Sequence, residues 1–222
     1  MPAAVIRAHA QRRRALVLDY GAGTGLLSLM AAKAARAATP DIAAPRILGI
    51  EKDADLAAVA ERVILDNGER VEVVVGDAGE LGAGLPLDER ADALLVEMFD
   101  CGGLGERVLH FVGQAWRHAL RPDAEVVPRR CAVRACLVAL ADDDAAAPWL
   151  PYGHDPGSGG SRPETVVEGG AWGALTAPAT VAAFDLGDRA AFVGADSPES
   201  GGAAAVAWTA TRSGVVVAAR RR

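Results

Sequence analysis

Two groups of residues carry the chemistry. The first runs Leu18, Asp19, Tyr20, Gly21, Ala22, Gly23, Thr24, Gly25, Leu26: an apolar run that ends on an acid and passes into three alternating glycines. A glycine turn between strand and helix lets the backbone approach a ligand at the carboxyl end of a sheet, where doubly wound folds bind cofactors. A dinucleotide cradle would want another glycine where Leu26 stands, and Asp19 would repel phosphates. The pattern suits a cation. Glu51 closes the next apolar run, where an acid accepts hydrogen bonds from a ribose diol, and Asp77 follows the third run. Taken singly, each acid reads equally as a strand-end surface carboxylate. The glycine turn with both acids in register is much harder to obtain by chance.

The second group is Glu97 and Glu106, the ends of EMFDCGGLGE. A glycine-containing loop of this length can fold back and bring the two carboxylates together. Facing carboxylates repel, and a guanidinium, planar and always charged, makes them compatible through paired hydrogen bonds. Holding the charge on one side of that group leaves its other terminal nitrogen richer in lone-pair character. Two ordinary surface glutamates satisfy the same spacing.

The elements that must position these residues follow from periodicity and punctuation, because the alanine-rich composition weakens propensity. Residues 15–19 read as a strand and 26–38 as a helix broken near Pro40. Residues 46–50 read as a second strand, and Asp55 is expected to cap a helix that Asn67-Gly68 stops. Residues 71–76 and 91–97 read as third and fourth strands. Apolar strands alternating with helices imply a parallel sheet covered on both faces, an α/β fold. From Pro128 the pattern changes to antiparallel alternation in RRCAVRACLVAL, then a Pro- and Gly-rich stretch from 142 to 170, then TVAAFDL, AAAVAWTA and GVVVAA. The expected division is 1–128 and 129–222.

Asp19 with Gly21, Gly23 and Gly25 resembles the cofactor loop of class I methyltransferases, and Glu97 with Glu106 resembles the paired-glutamate loop of the protein arginine methyltransferases. ALVLDYGAGTGLLSLMAA, LLVEMFDCGGLGE and EVVPRRCAVRACLV are similar to the methyltransferase 7 branch of that family. The resemblance runs from about Ala15 to the C-terminus and is weak between 142 and 178. It implies a Rossmann-like core followed by a partial antiparallel β-barrel. It also implies methyl transfer from S-adenosyl-L-methionine to arginine in protein substrates. Asp19, Gly21, Gly23 and Glu51 would hold the cofactor, with Asp77 and Ala78 near adenine, and Glu97 and Glu106 would grip the guanidinium. The family's Tyr-containing N-terminal helix and its later Thr-His-Trp loop have no counterpart among these residues. A shortened chain, weakly active or inactive and prone to self-association or homodimer formation, is the expectation.

Composition narrows the alternatives. Lys and Arg number 23 against 29 Asp and Glu, a formal charge of −6, which argues against a dedicated nucleic-acid binder. The hydrophobic fraction of 51% excludes a disordered chain. Cys101, Cys131 and Cys136 form no CxxC pair, so neither a disulfide scaffold nor a metal site is expected. No apolar run approaches the roughly 18 residues that span a bilayer. A reducing compartment is expected, the cytoplasm, with the nucleus as an alternative. His110 and His118 read as ordinary helix histidines and Trp208 as barrel core. Two rival readings stay open: a methyltransferase-like binding module without turnover, and a small-molecule methyltransferase.

Overall fold

The computed structural model describes residues 2–11, 13–80, 89–99, 105–140, 172–174, 176–193 and 216–220. Trp208, Cys101 and the 142–170 stretch lie outside them. The chain divides into two compact units, one of Met1–Asp100, Leu104–Cys131 and Phe184–Gly202, the other of Cys101–Gly103, Ala132–Ala183 and Ala203–Arg222. Phe184–Gly202 thus groups with the first unit although it lies beyond Pro128.

The first unit is built on five parallel strands: β1 (Leu16–Tyr20), β2 (Arg46–Glu51), β3 (Glu72–Val75), β4 (Ala91–Val96) and β5 (Leu120–Val127), in spatial order β3-β2-β1-β4-β5. The strand order reverses at β1 and β4. That reversal opens a crevice at the carboxyl ends of the strands, the usual ligand position in such sheets. Every residue of β4 is buried, which is why ADALLV reads as a continuous apolar run. Strand β3 departs from the expected two-sided cover: Val74 and Val75 are exposed because β3 is a sheet edge. Strand β5 was not legible beforehand, since Pro122 and Asp123 interrupt it, and proline is tolerated at a sheet edge.

Helix α1 (Pro2–Ala10) was likewise unexpected. It buries Ala4, Val5 and Ala8, small side chains that give little amphipathic signal. Helix α2 (Leu26–Ala38) falls where the sequence predicts and buries Ser28, Leu29, Ala31 and Ala35. Helix α3 (Ala54–Asp66) is capped by Asp53, not Asp55: the Asp53 carboxylate accepts the amides of Asp55 and Leu56 at 2.9 and 3.0 Å. The cap needs the extended backbone found at Asp53, while Asp55 already lies inside the first turn, where its negative charge is favoured by the positive end of the helix dipole. Helix α4 (Val108–Gln114) continues through a π-helical turn, Ala115–Ala119, into β5. Trp116 on that turn is 1% exposed and donates its indole N–H to the carbonyl of Leu186 at 2.9 Å. Helix α5 (Arg189–Val193) adds Phe192 to the same core. No helix among the described residues is long and apolar enough to cross a membrane.

The second sheet comprises β6 (Arg130–Leu140), β7 (Trp172–Ala174), β8 (Ala179–Asp185) and β9 (Val216–Arg220). Strand β6 pairs antiparallel with β7 through Val138↔Ala174 and with β9 through Cys136↔Ala218, matching the change of pattern after Pro128.

At the amino end of β4, Asp92 is 3% exposed and is gripped by the guanidinium of Arg13 through both oxygens. It also accepts the Leu16 amide at 2.9 Å, and the Arg121 guanidinium lies 3.9 Å away. This buried ion network ties the α1–β1 connection to β4. Removing one partner of such a network leaves a buried charge uncompensated. Asp92→Ala is expected to cost about 3 kcal/mol, read as a lower midpoint in chemical denaturation with an unchanged slope; a loss below about 0.5 kcal/mol would show the network contributes no more than a surface pair.

Candidate functional site

The loop between β1 and α2 requires its glycines. Gly21, Gly23 and Gly25 have φ of +68°, +56° and +79°, a region that side-chain-bearing residues rarely adopt. Gly25 also has no room for a side chain: a Cβ there would lie 3.0 Å from Ile64 Cδ1 and 3.2 Å from the Ala60 methyl on α3.

Four of the loop's amides are already engaged. Gly21 and Ala22 donate to the carbonyl of Ile50 at 3.0 Å each, Gly25 to that of Ala22 at 2.8 Å, and Gly23 to Glu51 Oε2 at 2.8 Å. The other Glu51 oxygen accepts the Asp53 amide at 2.9 Å. A phosphate cradle depends on backbone N–H groups pointing at the ligand, and four of this loop's amides point into the protein. Glu51, 9% exposed, has both oxygens fixed by these amides and retains lone pairs for hydroxyl donors.

Asp19 sits beneath the loop, 1% exposed. Its Oδ2 accepts the Ser28 hydroxyl at 2.7 Å, and its buried Oδ1 has no hydrogen-bond partner. Burial pushes its pKa up to about 6, against the lowering effect of Ser28 and with a further raising contribution from the Glu51 charge. Gly49 on β2 pairs in register with Asp19, and a Cβ there would lie 3.1 Å from the Ala22 methyl and 3.3 Å from Ser28 Oγ. Sequence reasoning overlooked Ser28 and Gly49. Each left a signal: Ser28 is the one hydroxyl in α2, and a glycine inside an apolar strand marks a close approach.

The other expected residues lie around the same edge of the sheet. Asp77 follows β3, is exposed, and accepts the Gly79 amide at 2.7 Å; Ala78 beside it is 7% exposed and belongs to the main core. Phe111 of α4 lies against this turn, 3.3 Å from where a Cβ on Gly79 would be. Glu97 follows β4 and Glu106 precedes α4, and both are exposed. The expected fold-back between them passes through residues 100–104, outside the described ones. Met98, next to Glu97, lies against the glycine loop, its Cγ 3.4 Å from where a Cβ on Gly21 would be. The glycine loop and the start of the glutamate segment are therefore neighbours. His110 makes an edge-on contact with Phe111, their ring centres 5.6 Å apart. Among the described residues no cluster of His, Cys, Asp and Glu is arranged to hold a metal ion.

Comparison with known proteins gives a consistent picture. No protein-family model matches the chain. Protein arginine N-methyltransferase 7 of Mus musculus is 35% identical over 138 residues, 61% of this chain and 19% of the mouse protein. The Oryza sativa subsp. indica protein of the same name is 36% identical over 124 residues, 55% of this chain and 17% of its own length. The chain thus spans about a fifth of the curated relatives it matches. Among solved structures, the Trypanosoma brucei PRMT1 enzyme–prozyme heterotetrameric complex with AdoHcy matches with a TM-score of 0.58 at 24% identity. That match covers 84% of this chain and 57% of that one, a likeness of fold.

Asp19 makes stability depend on pH with a definite sign. Its folded pKa of about 6 lies above the ordinary 3.8, so between these values the folded state holds the proton more tightly. Stability from this group is therefore full below the ordinary value and lost as pH rises through the folded one, by on the order of 2 to 3 kcal/mol. Asp19→Asn is expected to raise the melting temperature of the ligand-free protein above about pH 7 and to leave it nearly unchanged below about pH 4. Equal effects at both pH values would mean that Asp19 is ionised in the fold at no cost.

Proposed function

We infer that this chain, assigned to the protein arginine N-methyltransferase family by its kinship with methyltransferase 7, binds S-adenosyl-L-methionine at the glycine loop and serves methyl transfer to arginine in protein substrates. The observation that carries the reading is the adjacency of a glycine loop, four of whose amides are internally consumed, to a segment that begins with Glu97. A loop with two acids, Asp19 and Glu51, and four engaged amides is hostile to phosphates and hospitable to a nucleoside carrying positive charge.

Each residue's part follows from its chemistry. Glu51 is the acceptor for the ribose hydroxyls, held in place by Gly23 and Asp53. Gly21 and Gly23 keep the loop free of side chains on the ligand side. Asp77 and Ala78 border the adenine, with Phe111 behind their turn. The cofactor supplies a methyl group on a sulfonium, already an activated leaving group. Glu97 and Glu106 hold the substrate guanidinium between two carboxylates and concentrate its charge on one side. The terminal nitrogen left richer in electron density is the one aimed at the methyl. Catalysis in this arrangement is alignment and electrostatics, and no metal takes part. The second sheet is read as part of an antiparallel β-barrel that receives the protein substrate. Self-association belongs to the same reading, supported by the exposed Leu26 and Met30 on α2.

Separate roles for the two groups of acids are testable in one experiment. Glu97→Gln and Glu106→Gln are each expected to remove most arginine methylation, because a neutral amide cannot balance the guanidinium charge, while cofactor affinity stays close to that of the unaltered chain. Joint loss of both would make the glutamates structural. Glu51→Ala is expected to weaken cofactor binding by about 1 to 3 kcal/mol in calorimetry, and equal affinities would remove Glu51 from the ribose site.

A further inference from the structure

Asp19 is the one residue of the glycine-loop region whose state the reading above leaves open. It lies under the loop, between the carboxyl end of β1 and the first turn of α2, almost wholly buried. One oxygen has the Ser28 hydroxyl and the other has no hydrogen-bond partner. An anion in this position is expensive, since a buried oxygen that could accept several hydrogen bonds accepts none. The groups facing it do little to offset that cost. From β2 come the uncharged Gly49, its partner in register, and Glu51, which is itself acidic. From β4 comes Leu95, and from α2 comes Ser28. Burial, first, and Glu51 favour the acid; the Ser28 hydroxyl, the Ser28 amide and the positive end of α2 favour the anion. Asp19 is thereby held near balance.

We propose that the Asp19–Ser28 pair is a proton-linked charge selector: in mildly acidic solution Asp19 carries a proton when the loop has no ligand, and surrenders it when a positively charged nucleoside occupies the loop. The inference rests on the loop being a cofactor site. The O–H bond of the Asp19 carboxyl breaks, the proton passes to solvent buffer, and the carboxylate left behind compensates the charge that has arrived above it. Ligand charge enters as a proton leaves, so the net charge of the region is conserved. A neutral nucleoside offers no such compensation and releases no proton, and a phosphate-bearing one drives the equilibrium the other way, towards the acid. Selectivity for a cationic cofactor then comes from beneath the loop as well as from its closed amides.

The test begins without ligand. In a carbon-13 NMR titration of the full chain, the Asp19 carboxyl is expected to titrate near pH 6, and Ser28→Ala to move that midpoint upward. Calorimetry with S-adenosyl-L-methionine is then run near that pH in two buffers of different ionisation enthalpy, with adenosine as the neutral comparison. S-adenosyl-L-methionine is expected to release about half a proton per site near the midpoint, and to bind about tenfold more weakly at about pH 5 than at about pH 7. Adenosine is expected to show neither effect, and Asp19→Asn to abolish both for S-adenosyl-L-methionine. A ligand-free midpoint in the ordinary carboxylate range, or the same pH dependence in Asp19→Asn, would overturn the proposal. Binding of S-adenosyl-L-methionine without proton release would overturn it and leave the cofactor reading standing, whereas no binding of either nucleoside at any pH would remove both.

Discussion

One carboxylate organises the cofactor end of this protein. Glu51 accepts the Gly23 amide with one oxygen and the Asp53 amide with the other, so a single side chain at the end of β2 fixes both the loop after β1 and the entry to α3. The Ile50 carbonyl beside it takes the amides of Gly21 and Ala22, and Asp53, so positioned, caps α3. Helix α3 in turn fills the space that the absent Cβ of Gly25 leaves. Loop, cap and helix contact thus close into one mutually dependent set, which explains why three left-handed glycines are held in one conformation.

The consequence is chemical. Phosphate-binding loops and this one share a glycine-rich connection from strand to helix, and they differ in where the amides point. Here four of them are spent inside the protein, and two acids occupy the positions beneath and beside the loop. The same hydrogen bonds that make the loop rigid make it unfit for a pyrophosphate. Glu97 enters this setting through Met98, which packs against the loop, so the acids read as substrate ligands begin next to the groups read as cofactor ligands. The chain spans about a fifth of its curated relatives.

The core was legible in the sequence where local pattern and tertiary role agree. β1, β2, β4 and α2 all fall within a residue or so of expectation, because continuous apolar runs ending on an acid and a glycine are both local signals and the requirements of a buried parallel strand. Helix α1 escaped notice because it docks through alanines and is held by Arg7 reaching Glu125 at 3.2 Å, a contact across more than a hundred residues. Strand β5 escaped because an edge can tolerate Pro122. Among the site residues, Asp19 shows the limit most clearly. Its type and spacing pointed to a ligand contact, yet only the folded chain reveals that it is buried, bonded to Ser28 and short of a second partner, a condition set by α2 and Gly49 together.

The central claim is that a loop with its amides turned inward and acids around it takes a cationic nucleoside and refuses a phosphorylated one. The most direct measurement is a competition titration of the full chain at near-neutral pH, with S-adenosyl-L-methionine against a dinucleotide carrying the same adenosine group. The account predicts saturable binding of S-adenosyl-L-methionine that the dinucleotide does not displace even in large excess. Displacement by the dinucleotide at comparable concentration would contradict it, because its phosphates would then sit against a loop that has four amides engaged elsewhere and two acids beside it.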